Sequence, residues 1–336
     1  MQYFKKHLNF VEPVQVCLGT RHITVGEGLS HMVKEAQDKY VYIPLLDVLA
    51  NVLKCPRVYE EIVQGHTRSD NIVEDFCDSP KVKNHPLFSK QKHSLQIILY
   101  FDELELCNPL GSFRKKHKLG CYYYTLGNIS PMYRSSLKSI FLLCLVENPI
   151  LNLYGHDKIL ETAVIDIKQL EEGVMIETCE GIEKFYGTIA TVCGDNPGTA
   201  AVAGFKESAS AKRCCRQCLG TKEEFNTLFH ESHFTLRTPR IHNHYCGLLT
   251  NPELRDLHDH YSVTYGVNRD SILNDLQYFH TADETIPPDL LHDMLEGYLP
   301  YKVKLMLQNF FSLLNSRNIH ILLAFITKVL TMYVCV

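Results

Sequence analysis

Two aspartates stand where a metal-dependent reaction could be run. Asp102 follows the β-rich apolar run Leu95-Gln-Ile-Ile-Leu-Tyr-Phe101, and Asp195 lies in Cys193-Gly-Asp-Asn-Pro-Gly198, just after a second such run, Phe185 to Val192. A carboxylate at the end of an apolar strand is costly to bury unless something compensates it. A shared divalent ion is one compensation, and paired ions about 3.5–4 Å apart can activate an attacking oxygen and stabilise a leaving one. Hard oxygen donors favour Mg2+ or Mn2+. Turn chemistry accounts for both residues equally well on spacing alone, because Asp starts turns and Gly-Asp-Asn-Pro-Gly is a turn composition. Glu103 and Glu105 compete with Asp102 as the ligand. Asp102 is preferred because it ends the run directly and strand alternation places Glu103 on the opposite face.

A second cluster has the makings of a structural zinc site. Cys215-Arg-Gln-Cys218 is a C-x-x-C pair, followed by His230, His233, His242, His244 and Cys246. Two thiolates plus two later nitrogen or sulfur donors close a tetrahedral Zn2+ site. Cys215, Cys218, His242 and Cys246 are the candidate set, with the last two places open among His233, His242, His244 and Cys246. Reduced core cysteines and solvated histidines are the other reading. Further on, Pro287-Pro-Asp289-Leu-Leu-His292-Asp293-Met-Leu-Glu296 opens an apolar helix. Asp289 sits where an N-cap belongs. His292 falls in the first turn, where a phosphate oxygen is favoured by the helix N-terminus. Asp293 and Glu296 share a face and offer a third acidic ligand, or are first-turn acids favoured by the dipole.

The elements that must position these residues follow from apolar periodicity. Residues 1–90 read as an irregular start and then helix, with a polar, proline-marked linker from Asp70 to Lys92. Strands are expected over Leu95–Phe101, Cys121–Leu126, Ile140–Val146 and Phe185–Val192. Between the third and fourth lies a helix from His156 to Glu172, with Ile159, Leu160, Ala163, Val164, Ile167 and Leu170 on one face. The order β, β, β, α, β is that of a mixed α/β sheet with an acid on its first and fourth strands. Four regions result: an N-terminal helical region and linker (1–90), the first part of an α/β core (91–212), a zinc-binding insertion (213–262) and a helical remainder (263–336). Arg114, Lys115, Lys116 and Lys118 form a local basic patch after the first of these strands, fit either to neutralise DNA phosphates or to be a solvated loop.

Composition bounds the rest. The 336 residues are 45% hydrophobic, enough for a substantial core. A formal charge of −4 exerts no global pull toward nucleic acid, so DNA binding would rest on a local patch. Thirteen cysteines, scattered apart from Cys214, Cys215 and Cys218, read as reduced thiols of the cytosol or nucleus. Ile319 to Val336 is mostly apolar but contains His320 and Lys328, and is expected to be a buried helix and not a membrane anchor.

Taken in order, Tyr-Phe-Asp102, Asn108-Pro-Leu-Gly111, Gly-Asp195-Asn-Pro, Cys215-x-x-Cys218 and Asp289-Leu-Leu-His292 resemble the transposases of the CACTA (En/Spm-like) superfamily, and more closely the transposon-derived animal proteins that share this order. The likeness runs from about residue 10 to about residue 310. It implies a ribonuclease H-like core in which the first and fourth strands lie side by side. It makes Asp102 and Asp195 the first two members of a catalytic acidic triad with Mg2+ or Mn2+, Cys215 and Cys218 zinc ligands, and His292 an active-site histidine with Asp289 as its motif partner. DNA strand cleavage and transfer, a nuclear location and DNA as partner follow from the same likeness, with a homodimer left open. In that superfamily the third acid, a Glu on a late helix, comes well beyond the Asp-x-x-His motif. Here the sequence continues for only about 40 residues past it, so Glu296 is a weak substitute and a cut-short copy with impaired chemistry is the expectation. A non-catalytic DNA- or protein-binding module and a zinc-stabilised scaffold are the alternatives.

Overall fold

The sheet is built around the apolar run that the sequence marks most clearly. A computed structural model of the chain describes residues 10–25, 32–66, 70, 72–106, 118–283 and 285–313. Leu95–Glu105 forms β3, in which Leu95, Ile97, Leu99 and Phe101 are buried. It pairs antiparallel with β4 (Lys118–Leu126), which pairs antiparallel with β5 (Phe141–Glu147). The fourth member, β8 (Gly187–Gly194), lies on the other side of β3 and runs parallel to it. Each of these strands lies at or near its expected position.

The N-terminal region differs from expectation. Residues 14–42 are not an irregular lead into helix but two long antiparallel strands, β1 (Val14–Val25) and β2 (Met32–Tyr42). Through Val41↔Leu145 and Tyr42↔Cys144 this hairpin extends the sheet, whose order is β1-β2-β5-β4-β3-β8. No described side chain of β1 is buried. The hairpin's apolar alternation is brief: Val16 and Leu18 are partly buried against the core, but residues 19–22 and most of 34–39 are polar or small, so little of its length shows the period of a half-buried strand. Two short helices follow, α1 (Leu45–Leu53), with buried Leu45, Leu49 and Leu53, and α2 (Pro56–Gln64). The first 90 residues are therefore part of the main body. One compact unit spans 1–287 and a second spans 288–336, so the boundaries expected near 90, 212 and 262 do not separate units.

The connection from β5 back to β8 is helix α3 (Asn148–Glu172), broken at Gly155, where φ is 77°. After that break the helix buries the predicted face, Ile159 to Leu170, against the sheet. Two hydrogen bonds tie β2 to it: Tyr42 Oη donates to Asp166 Oδ2 at 2.6 Å, and Tyr40 Oη lies 2.9 Å from Thr162 Oγ1. At its end, buried Glu171 accepts from Thr188 Oγ1 (2.6 Å) and from the backbone N–H groups of Gln277 (2.9 Å) and Tyr278 (3.2 Å), joining helix, β8 and the 270s segment. Between α3 and β8 stands a small hairpin, β6 (Val174–Glu177) with β7 (Ile182–Phe185). The apolar run expected as one strand over 185–192 is thus divided at Tyr186, whose carbonyl accepts from Leu95 N–H at 2.7 Å. Helix α4 (Asn196–Ala203) follows β8, and α5 (Pro239–Thr250) and α6 (His258–Tyr265) complete the described helices of this unit longer than one turn or so. In the second unit, one π-helical stretch, Leu291–Tyr298, leads into α7 (Leu299–Leu313). Among the described residues no helix is long and apolar enough to cross a membrane. The apolar tail 319–336 lies outside the described residues.

A partly buried ion-pair cluster clamps the 66–78 segment to the turn after β4. Arg134 Nη1 donates to Asp75 Oδ1 at 2.9 Å, its Nη2 pairs with Asp75 Oδ2 and donates to Gly127 O at 2.8 Å, and His66 Nε2 lies 2.8 Å from Asp75 Oδ2. Burial works to raise the Asp75 pKa, but Arg134 and then His66 outweigh it and hold the carboxyl at about 2. Removing one partner of such a pair leaves an uncompensated charge, which is far costlier than losing an exposed ion pair. Arg134→Ala is expected to lower unfolding stability by about 3 kcal/mol, read as a lower denaturant midpoint at unchanged slope. Arg134→Lys should recover only part of it, since an ammonium cannot make the two-pronged contact.

Candidate active-site cleft

Asp102 and Asp195 meet because their strands are neighbours running the same way. Phe101 pairs with Gly194 in the parallel ladder, so the next residue of each chain, Asp102 and Asp195, emerges at the same end of the sheet. Gly194 allows the close approach. Its φ is 150°, and a Cβ there would stand 2.6 Å from Phe101 O. Asp195 is the N-cap of α4, its Oδ1 accepting from Gly198 N–H at 2.7 Å, with Pro197 following in the first turn. A Cβ at Gly198 would meet that same oxygen at 2.6 Å. The turn chemistry expected of Asp195 is realised as a helix cap, and the cap bond occupies only its Oδ1.

The two aspartates line one open cleft of about 540 Å³ with Glu103, Lys118, His156, Glu207, Asn268 and Arg269. The charged neighbours are already committed. Lys118 Nζ bonds Glu103 Oε2 at 2.7 Å, and Arg269 pairs with Asp157 and donates to Ala201 O at 2.7 Å. Glu103 is thus neutralised, whereas among the described residues neither Asp102 nor Asp195 has an ion-pair partner. Asp102 Oδ1 accepts only its neighbour's backbone N–H, from Glu103, at 2.8 Å. Of the basic patch, Lys118 begins β4 and faces this cleft, while Arg114, Lys115 and Lys116 lie outside the described residues.

His156 was not among the residues singled out from the sequence, where it only opened an amphipathic helix. The Gly155 break turns its ring into the cleft wall, edge-on to Phe101 with centroids 4.8 Å apart and with Nδ1 2.6 Å from Tyr122 Oη. Burial, and then the nearby Arg269 charge, push its pKa down to about 4, so the ring is neutral at pH 7. Glu207, Asn268 and Arg269 were likewise missed; they come from two loops, one after α4 and one after α6, and no local pattern marks them.

The expected zinc set is divided. Cys215 and Cys218 lie close together, each Sγ accepting a backbone N–H two residues on, from Gln217 (3.3 Å) and Gly220 (3.4 Å). The Arg237 guanidinium bridges their carbonyls, with Nε 3.1 Å from Cys215 O and 3.2 Å from Cys218 O. His242 and Cys246 sit on α5 and group with Asp270 instead, their ligand atoms and an Asp270 carboxylate oxygen all within 4.8 Å of one another. His233 and His244 are exposed. In the second unit, Asp289 Oδ1 accepts from the N–H groups of Leu291 (3.1 Å) and His292 (3.2 Å), as an N-cap would, and its Oδ2 pairs with His292 Nδ1. Glu296 Oε2 lies 3.9 Å from His292 Nε2, so Asp289 and Glu296 flank this ring on either side.

No protein-family model matches this chain, and no curated protein matches it.

The low pKa of His156 has a consequence for stability. Below about pH 6.5 the unfolded chain takes up a proton that the folded ring refuses until about pH 4. Unfolding free energy therefore falls as pH drops through that window, by up to about 1.4 kcal/mol per pH unit for this one group. His156→Gln should flatten the dependence of the urea midpoint on pH between 6.5 and 4; a slope identical to that of the parent would rule His156 out as a contributor.

Proposed function

We propose that this chain is a transposase-derived protein with a ribonuclease H-like core, whose Asp102–Asp195 cleft binds Mg2+ or Mn2+ and the phosphates of DNA. The observation that carries this reading is the parallel pairing of β3 with β8, which brings Asp102, inside β3, and Asp195, just after β8, to one edge of one cleft. The likeness to CACTA transposases implies first and fourth core strands side by side, and the adjacency of β3 and β8 supports that reading.

The donor chemistry fits a hard divalent ion. Both candidates are carboxylates, neither is ion-paired among the described residues, and the nearest competing acid, Glu103, is held by Lys118. The two carboxylates stand just beyond the last paired residues of neighbouring strands, Phe101 and Gly194, where one cation could be shared between them. When bound, such an ion would supply Lewis acidity toward a phosphate oxygen and a more acidic water. The chain's own residues do the rest. Asp195 is oriented by its cap bond to Gly198, and Asp102 by the Glu103 N–H. The Tyr122–His156 hydrogen bond fixes the neutral imidazole in the wall, where it can exchange a hydrogen bond with a phosphate or water. Lys118 places a positive charge at the cleft for a polynucleotide backbone, although it is shared with Glu103. A nuclear location belongs to the same reading.

Mn2+ titration followed by electron paramagnetic resonance tests it. The parent chain should bind Mn2+, and Asp102→Ala with Asp195→Ala should weaken binding at least tenfold while leaving the fold intact by circular dichroism. Unchanged Mn2+ affinity in the double variant would remove the proposed function. Salt-sensitive DNA binding that survives the double variant would instead favour a non-catalytic binding module.

A further inference from the structure

We infer that His242, Cys246 and Asp270 form a second metal site, separate from the Asp102–Asp195 cleft and from the Cys215–Cys218 pair, that takes Zn2+ or a similar borderline transition ion. Helix α5 supplies the first two ligands. Positions four apart stack on one face of a helix, so His242 and Cys246 project together into the interior. Asp270 enters from the loop after α6, and the three ligand atoms lie within 4.8 Å of one another. Around a tetrahedral zinc the corresponding atoms stand roughly 3.4–3.8 Å apart, within reach of a small side-chain rotation.

His242 is what sets this cluster apart from an ordinary core stripe. It is 0% exposed, and neither ring nitrogen has a hydrogen-bond partner. A neutral imidazole carries one donor and one acceptor, and leaving either buried and unmet is costly. The surrounding rings do not meet that need. Phe205 and His280 pack edge-on at 5.1 and 5.5 Å, and His280 is engaged elsewhere, its Nε2 with Asn243 Oδ1 (2.8 Å) and its Nδ1 with Ala282 N–H (3.0 Å). A metal ion satisfies the lone pair directly.

The donor set selects the ion. One imidazole nitrogen, one thiolate and one carboxylate favour zinc over Mg2+ or Ca2+, which prefer oxygen alone. Thiolate and carboxylate together carry two negative charges, which a divalent cation neutralises in a largely buried place. Cys246 is buried and Asp270 exposed, so the site opens at the carboxylate, where solvent completes the fourth position and the ion enters. Asn274 Nδ2 donates to Asp270 Oδ1 at 2.6 Å and orients that carboxylate.

Cobalt substitution decides the matter. The full chain, stripped with chelator and titrated with Co2+, should show a thiolate-to-cobalt charge-transfer band and tetrahedral d–d bands, both displaced by Zn2+. The bands should persist in Cys215→Ser with Cys218→Ser and in Asp102→Ala with Asp195→Ala. They should vanish when Cys246→Ser is added to the Cys215→Ser/Cys218→Ser chain. Asp270→Asn, an exposed change that leaves the core alone, should weaken Co2+ binding at least tenfold. No charge-transfer band in the parent, a band carried by Cys215 and Cys218 alone, or unaltered affinity in Asp270→Asn would each overturn the inference.

Discussion

Parallel strands cannot be joined by a tight turn; the chain must leave the sheet and come back. Between β3 and β8 it does so by way of β4, β5 and the long helix α3, and the return is secured by apolar burial. Ile189 and Val192 of β8 and Leu95, Ile97 and Leu99 of β3 are essentially inaccessible, each side chain contributing about 1.5–3 kcal/mol. This one pairing sets the register that ends in Phe101↔Gly194, and the location of both aspartates depends on it. A slip of one residue would turn every side chain of β8 to the opposite face. Gly194, placed where a side chain would strike the Phe101 carbonyl, lets β8 stay in contact with β3 up to its last residue, while β3 continues to Glu105 along β4.

The polar interactions around that pairing have a shared logic, which is to bind separate segments to the sheet without leaving charge uncompensated. Glu171 takes hydrogen bonds from β8 and from the 270s, and Asp75 takes them from Arg134 and His66. Each is buried or nearly so, and each has several partners. Against that background the exceptions stand out. Asp102 and Asp195 are carboxylates without ion-pair partners among the described residues, and His242 is an interior imidazole with both nitrogens unmet. Carboxylates without a counter-charge, and a buried imidazole with neither nitrogen bonded, are where a bound ion has most to contribute.

Much of this was legible along the chain, and the reasons differ by element. The strand run 95–101 and the helix face 159–170 could be read because burial of one side imposes a period that amino-acid type records directly. The β1–β2 hairpin could not, because its apolar alternation is confined to a few positions around Val16 and Leu18 and is lost over the mostly polar remainder. The interruption at Tyr186 escaped for the opposite reason, since its neighbours stay apolar across the change from one sheet to the other. At the site, Asp102 and Asp195 were legible as strand-end acids. His156 was not, because what makes it part of the cleft is a backbone break at Gly155 and not its place in a motif.

The amino-acid sequence by itself determined which residues could be ligands and which segments had to be buried: strand-end aspartates, a C-x-x-C pair, histidines and a cysteine on a helix, and the apolar faces beside them. Only the tertiary structure decided which of these meet. It joined Asp102 to Asp195 through a parallel ladder, and it separated His242 and Cys246 from Cys215 and Cys218 and gave them Asp270. The physical reason is that ligand sets are assembled by contacts between segments distant in sequence. Residue type and local spacing encode the donor and the face it projects from. The partner across the gap is chosen by how sheets, helices and loops pack to exclude water.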